Sequence, residues 1–125
     1  LVDEGCRNTS LLGDRGLIQR ALDNVLQNAL DHTAPGKNVH LALRCDQRHL
    51  LVEIRDEGPG VPEDVLPHLF EPFYRADKSR GGKGWGLGLA IARDIVAIHD
   101  GRIEALNGEP GGLMVVLRFP LFTAG

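Results

Sequence analysis

Leu17, Ile18, Ala21, Leu22, Val25, Leu26, Ala29 and Leu30 recur at spacings of three and four. Only an α-helix gathers such a set onto one face, so the spacing predicts a helix from about Arg15 to His32 whose apolar stripe must be covered by another layer. Asp14 stands where an N-cap is needed, and Ala34-Pro35-Gly36 stops the helix. The covering layer follows in the chain. Val39 to Arg44 and Leu50 to Arg55 are short apolar runs around a polar Asp46–His49 segment, the pattern of a β-hairpin. Leu11 and Leu12, ahead of the cap, read as the end of a further short strand. Pro62, Glu63 and Asp64 open a short helix, because proline and acids suit a first turn. A second long helix is expected from about Leu87 to His99, and closing strands at Arg102–Leu106 and Leu113–Phe119, separated by the turn-rich Asn107 to Gly112. The expected fold is α/β: a two-layer sandwich of one mixed β-sheet with about three helices on one face.

With 125 residues and 42% hydrophobic content, the chain has room for one domain, residues 1–125, around one core. A formal net charge of −3 supplies no field to gather nucleic acid or an anionic membrane. No stretch approaches the roughly 20 apolar residues of a membrane span. Cys6 and Cys45 lack the spacing of a metal site or a disulfide framework, and are read as reduced thiols of a cytosolic protein. The first residue is Leu1 rather than Met, which suggests a piece of a longer chain.

Four places carry chemistry. Asn24 and Asn28 lie four apart, on one face of the first helix. Taken singly, either could be a solvated polar residue, but Asn24 interrupts the apolar stripe, where a polar side chain is costly without a partner. A neutral carboxamide oxygen also suits Mg²⁺ when phosphates supply the negative charge. Asp56-Glu57-Gly58-Pro59-Gly60 follows a predicted strand. Such a segment could be a turn and nothing more. Functionally, a carboxylate fixed at a strand end can accept a hydrogen bond from an exocyclic amino group, and glycines beside it let a flat base approach the backbone. Gly84-Trp85-Gly86-Leu87-Gly88 opens the last long helix, a context that can cradle phosphate. A dinucleotide fingerprint would instead follow the first strand, and the GxxxxGK[ST] pattern is absent. In Leu69 to Arg75 the aromatic Phe70 and Phe73 are expected to pack a loop onto the core, while Arg75 suits phosphoryl oxygens. From Ala76 to Gly84 the chain is basic and glycine-rich, the composition of a mobile loop.

In order and spacing, NVLQNALDHT (Asn24–Thr33), DEGPG (Asp56–Gly60), FEPFYR (Phe70–Arg75) and GWGLGL (Gly84–Leu89) resemble the N, G1, F and G2 boxes of sensor histidine kinase ATP-binding catalytic domains. The resemblance runs from Gly13-Asp14 to Phe119-Pro120. It implies a Bergerat-type α/β sandwich that binds ATP with Mg²⁺. By that resemblance Asn28 would hold the Mg²⁺ with Asn24 in support, Asp56 would bind the adenine amino group, and Gly58 and Gly60 would shape the base pocket. Lys83, Gly84, Gly86, Leu87 and Gly88 would form the phosphate-binding stretch, with Ala76–Lys83 as the ATP lid. Arg75 would act with Asn28 in γ-phosphoryl transfer.

The resemblance also implies partners: a phosphoacceptor and dimerisation domain of the same full-length kinase, and a response regulator reached through it. The isolated domain would then be a monomer, inactive in autophosphorylation, and the cytoplasmic part of an inner-membrane-anchored parent. His32, His40, His49, His68 and His99 all lack the His-Glu/Asp-x-Arg-Pro context of an acceptor. Asp31 stands where the family often has Lys or Arg, and Trp85 where it often has Thr or Ser. A carboxylate beside phosphates is unfavourable. Asp31 is therefore either turned to solvent or offset by basic lid residues such as Lys83. Two alternatives remain open at this stage: a nucleotide-binding switch with weak or no turnover, and another ATPase of the wider gyrase and Hsp90 superfamily.

Overall fold

The computed structural model describes residues 11–73, 87–108 and 111–121. Helix α1 (Arg15–Asp31) begins where Asp14 Oδ1 accepts the Leu17 N–H at 3.0 Å. It closes at His32, whose ring Nδ1 donates to the Asn28 carbonyl at 2.8 Å, and at Thr33, whose hydroxyl donates to Ala29 O at 2.6 Å. The Thr33 hydroxyl satisfies a carbonyl that the helix end would otherwise leave unpaired, and the His32 ring adds a second bond to a carbonyl that already accepts the His32 N–H at 3.2 Å. Strands β1 (Val39–Cys45) and β2 (His49–Asp56) form the expected hairpin, in register from Val39↔Asp56 to Cys45↔Leu50. Its turn is pinned by Asp46 Oδ1, which accepts from the Arg48 and His49 N–H groups, both at 2.7 Å. A single 3-10 turn at Leu66–His68 follows, then α2 (Gly88–Ile98), β3 (Arg102–Asn107) and β4 (Leu113–Pro120).

The sheet order is β1-β2-β4-β3, and every neighbouring pair is antiparallel. The two-layer sandwich is as expected, but the sheet is antiparallel rather than mixed. A strand, a helix and another strand usually make parallel neighbours. Here β3 is parallel to β2 but lies at the far edge, and β4 returns between them. Among the described residues two α-helices and the 3-10 turn stand in place of about three helices, and residues 11–14 form no strand.

Alternation assigns the faces. Val52, Ile54, Leu113, Val115, Leu117 and Phe119 point inward, against Ala21, Val25 and Ala29 of α1 and Leu89, Ala92, Ile95 and Val96 of α2. Phe70 packs against this core as expected, whereas Phe73 sits at φ 63° and is 71% exposed, a correction to its expected packing role. Cys45 is disulfide-bonded, contrary to the reduced thiol expected. Sequence spacing says little about which thiols meet in space, since pairing depends on Cα separation and direction. Among the described residues no helix is long and apolar enough to cross a membrane.

At the other end of α1, the Asp14 backbone N–H donates to His99 Nε2 at 3.0 Å, and His99 Nδ1 donates to Ile95 O at 2.7 Å. One ring therefore joins the start of α1 to the end of α2. Replacing Asp14 by Ala keeps that backbone bond and removes only the cap to Leu17. Asp14→Ala is expected to lower unfolding free energy by about 1 kcal/mol in urea titrations, and an unchanged midpoint would show that the cap contributes nothing.

Candidate functional site

Asp56 ends β2 and is buried, 3% exposed. Its Oδ1 accepts the Gly58 N–H at 2.9 Å and the Leu113 N–H at 3.0 Å, the latter from 57 residues away at the start of β4. Both described bonds fall on Oδ1, so among the described residues no donor reaches Oδ2. Two close approaches secure this arrangement. Gly112 has φ 86°, and a Cβ there would stand 2.0 Å from the Asp56 carbonyl oxygen. A Cβ on Gly58 would stand 2.7 Å from the His32 carbonyl oxygen and 3.2 Å from Asp56 Oδ1. Neither position has room for a side chain, so the backbone lies tight around the carboxylate.

A cavity of about 200 Å³ opens beside it, lined by His32, Asp56, Pro59, Gly60, Val61, Pro62 and Leu113. Sites for drug-sized ligands usually measure roughly 300–1,000 Å³, so this one suits a single flat ring. A wider hollow of about 770 Å³ lies on the outer face of the sheet, between Val39 and Met114. It contains the Arg44–Glu53 ion pair, 2.7 Å, and none of the site residues expected from the sequence.

The first helix reaches the same region. Asn28 is buried, 9% exposed, on the α1 face that meets the core, and Asn24 is half-buried one turn before it. An added Cβ on Gly88, the first residue of α2, would stand 3.9 Å from both Asn24 Cβ and Asn24 O. Asn24 of the N box and the last G2-box glycine are thus neighbours. Through His32, bonded to Asn28 O and lining the cavity, the same helix also borders Asp56. Leu87 is exposed at the α2 N-cap. Arg75, Lys83, Gly84 and Gly86, together with Trp85 and the 76–83 lid segment, lie outside the described residues. Asp31 is exposed and accepts from Gln27 Nε2 at 2.9 Å, one turn back along the helix, which matches the solvent-facing alternative.

Sequence reasoning missed four contributors. His32 stands out in the sequence only as a histidine without the acceptor context. Leu113 acts through its backbone N–H, Gly112 through its φ, and Asn107 through bonds to Val61: the Val61 N–H donates to Asn107 Oδ1 at 2.9 Å, and Asn107 Nδ2 donates to Val61 O at 2.7 Å. The Asn107–Gly112 turn composition was the one available signal for the last two.

Beyond the cavity, Glu57 accepts the Asn38 N–H at 3.0 Å and pairs with His40 Nε2 at 2.7 Å, tying the start of β1 to the G1 loop. The Asn38 N–H first, and the His40 side chain second, hold the Glu57 carboxyl below its ordinary value of 4.5. A depressed folded value means that the stabilisation is present above 4.5 and is lost as pH falls through the lower folded value. Glu57→Gln is therefore expected to flatten this part of the acid dependence in melting curves, while a variant whose acid sensitivity equals that of the wild type would remove Glu57 from the account.

Comparisons with known proteins identify the family. Residues 13–123 match the family model described as histidine kinase-, DNA gyrase B-, and HSP90-like ATPase. The signal transduction histidine-protein kinase AfsQ2 of Streptomyces coelicolor is 44% identical over 100 residues, which is 79% of this chain and 18% of AfsQ2. The sensor protein CzcS of Cupriavidus metallidurans is 37% identical over 116 residues, 91% of this chain and 24% of CzcS. The chain thus spans under a quarter of the length of these relatives. Among solved structures, the mycobacterial sensor histidine kinase MprB superposes with a TM-score of 0.80 at 33% identity, covering 91% of this chain and 78% of that one. The catalytic domain of histidine kinase ThkA gives 0.75 at 30% identity, covering 86% and 69%. The chain belongs to the histidine kinase-, DNA gyrase B- and HSP90-like ATPase family, and its similarity is to the ATP-binding catalytic domains of sensor histidine kinases.

Proposed function

We propose that this domain binds ATP with Mg²⁺ and presents the γ-phosphoryl group to a histidine on a separate dimerisation domain of its parent. The observation that carries the proposal is Asp56: a buried carboxylate with one oxygen held by two backbone donors, beside a cavity sized for one flat ring. Its second oxygen is suited to accept from an adenine amino group. A guanine would bring a carbonyl to the same place, so the arrangement selects adenine by charge repulsion as well as by hydrogen bonding. A crystal structure similar to this chain, that of full-length ShkA, is a complex with AMPPNP, a fact about ShkA that supports nucleotide binding as the reading here.

The donor set fits a phosphate-bound cation. Among the described residues no group of three His, Cys, Asp or Glu side chains could hold a metal ion. Asn28 offers a neutral carboxamide oxygen, as expected of a ligand that shares a hard cation with phosphates. Asn24 would support it from the preceding turn, against Gly88 at the α2 N-terminus. When bound, Mg²⁺ would neutralise charge on the phosphates. The chain's own contribution is to bury the base, align the triphosphate along α1 and the start of α2, and leave the γ-phosphate at the open end. There a histidine nitrogen would form the new P–N bond as the bond to the β-phosphate oxygen breaks and ADP leaves. Arg75 would stabilise charge on the transferred group, and Lys83, Gly84 and Gly86 would complete the phosphate site.

On this reading the acceptor histidine, dimerisation domain, membrane anchor and response regulator belong to the parent and its pathway, and the isolated domain is monomeric and does not phosphorylate itself. An alternative, nucleotide binding without turnover, was motivated by Asp31. The Gln27 contact, which turns that charge to solvent, counts against it.

Asp56→Asn tests the assignment without dismantling the pocket. The amide oxygen can keep the Gly58 and Leu113 bonds while its NH₂ group faces the cavity, where it opposes a second donor. ATP affinity is expected to fall about 10- to 100-fold, the equivalent of one hydrogen bond to a charged group, and ATP and GTP affinities to converge. Asn28→Ala should remove the Mg²⁺ dependence of ATP binding. Calorimetry that finds equal wild-type affinity with EDTA and with Mg²⁺, or an unchanged base preference in Asp56→Asn, would contradict the corresponding assignment.

A further inference from the structure

We infer that Asn107 is a positioning residue that sets the affinity of the base pocket without touching the base, an inference that rests on the nucleotide reading of that pocket. Asn107 is the last residue of β3, at the edge of the sheet. Its carboxamide pairs with both backbone polar groups of Val61, accepting from the N–H at 2.9 Å and donating to the carbonyl at 2.7 Å. A planar amide with one acceptor and one donor thereby does the work of a missing strand rung, extending β3 across to the G1 loop. Asp keeps only the acceptor, Ser is too short to serve both groups, and Gln carries the amide one carbon too far.

The loop is shaped to receive this side chain. Gly60 has φ 75°, and a Cβ built there would stand 2.6 Å from Asn107 Oδ1 and 3.4 Å from the Gly112 carbonyl oxygen. The Asn107 side chain occupies the space that any other residue at position 60 would need. Gly60 and Val61 both line the cavity beside Asp56, while Asn107 itself does not.

The Asp56 part of the lining is held by the same hairpin. Gly108 N donates to Gly112 O at 2.8 Å, closing the turn, and the next residue, Leu113, donates to Asp56 Oδ1 at 3.0 Å. The β3–β4 connection therefore has two arms, one on the carboxylate that would read the base and one on the Gly60–Val61 part of the cavity lining. With both arms engaged, the gap between the walls is fixed before a ligand arrives, and binding does not have to order the loop. If Asn107 is removed, Asp56 keeps its Leu113 bond, while the Gly60–Val61 segment loses both bonds to β3 and keeps the packing of Val61 against the core. By linkage, a bound base must in turn protect the Val61 N–H.

The test uses the 125-residue chain, with AMP and ATP as probes in the presence of Mg²⁺, well below the melting temperature of each variant. Asn107→Ala is expected to weaken AMP and ATP by the same factor, roughly 5- to 20-fold, the scale of one or two partly exposed hydrogen bonds. An equal loss for both ligands assigns the effect to the base end, since the two differ only in phosphates. Hydrogen exchange at the Val61 amide should speed up in ligand-free Asn107→Ala and stay slow in Asn107→Asp, which retains the acceptor. Asn107→Asp should still lose AMP affinity because the bond to Val61 O is gone. Faster Val61 exchange with unchanged affinity for both ligands would overturn the positioning role, as would a lower melting temperature with intact affinity. A wild-type chain that binds neither AMP nor ATP would instead overturn the nucleotide reading, and this inference with it.

Discussion

The site depends on one buried carboxylate. A carboxyl group cannot be left without partners in the interior, because desolvation costs several kcal/mol unless hydrogen bonds replace the lost water. Asp56 meets that requirement with two backbone N–H groups on one oxygen, one local and one distant in the chain: Gly58 from the loop just after β2, and Leu113 from β4. The antiparallel pairing of β2 with β4 makes the second contact possible, since it brings the start of β4 alongside the end of β2. Gly58 and Gly112 are the local consequence. Each occupies a spot where a Cβ would collide with a backbone oxygen, that of His32 or that of Asp56.

The helical layer answers a second constraint. α1 must bury an apolar stripe against the sheet and still present polar groups at its C-terminal half. It does so by placing Ala21, Val25 and Ala29 in the core, with Asn28 buried at the stripe's border and Asn24 beside the first residue of α2. Small residues at two of those three core positions let the helix lie close. The C-terminal turn then serves both layers, for His32 caps the helix through Asn28 O while its ring borders the base cavity. Electrostatics follows the same economy. Asp31, the acid that would be unwelcome near phosphates, is drawn back along the helix by Gln27.

What could be read from the sequence was whatever repeats locally. The three-and-four spacing from Leu17 to Leu30 gave α1 nearly to its ends, the Asp14 cap was legible as an acid before a periodic run, and Asp56 was visible as an acid at a strand terminus followed by glycines. What could not be read depends on distant partners. The sheet became antiparallel because β3 crosses to the far edge, a choice that no local pattern encodes. Leu113 contributes only its N–H, which every residue but proline has. Asn107 looked like a turn former because Asn usually is one, and its bonds to Val61 span 46 residues. Cys45 was misjudged on spacing, and Phe73 on composition: its ring turns outward from a backbone at φ 63°.

On the proposed function, Asp56 and the α1 asparagines belong to one site for a single nucleotide. The most direct measurement is a backbone NMR titration of the chain with a non-hydrolysable ATP analogue and Mg²⁺. The account predicts shifts concentrated at Asn24–His32, Gly58–Val61, Gly88 and Leu113, all following one binding isotherm. Shifts confined to the outer sheet face around His40, Arg44 and Arg55, with the Leu113 and Gly58 amides unmoved, would contradict it.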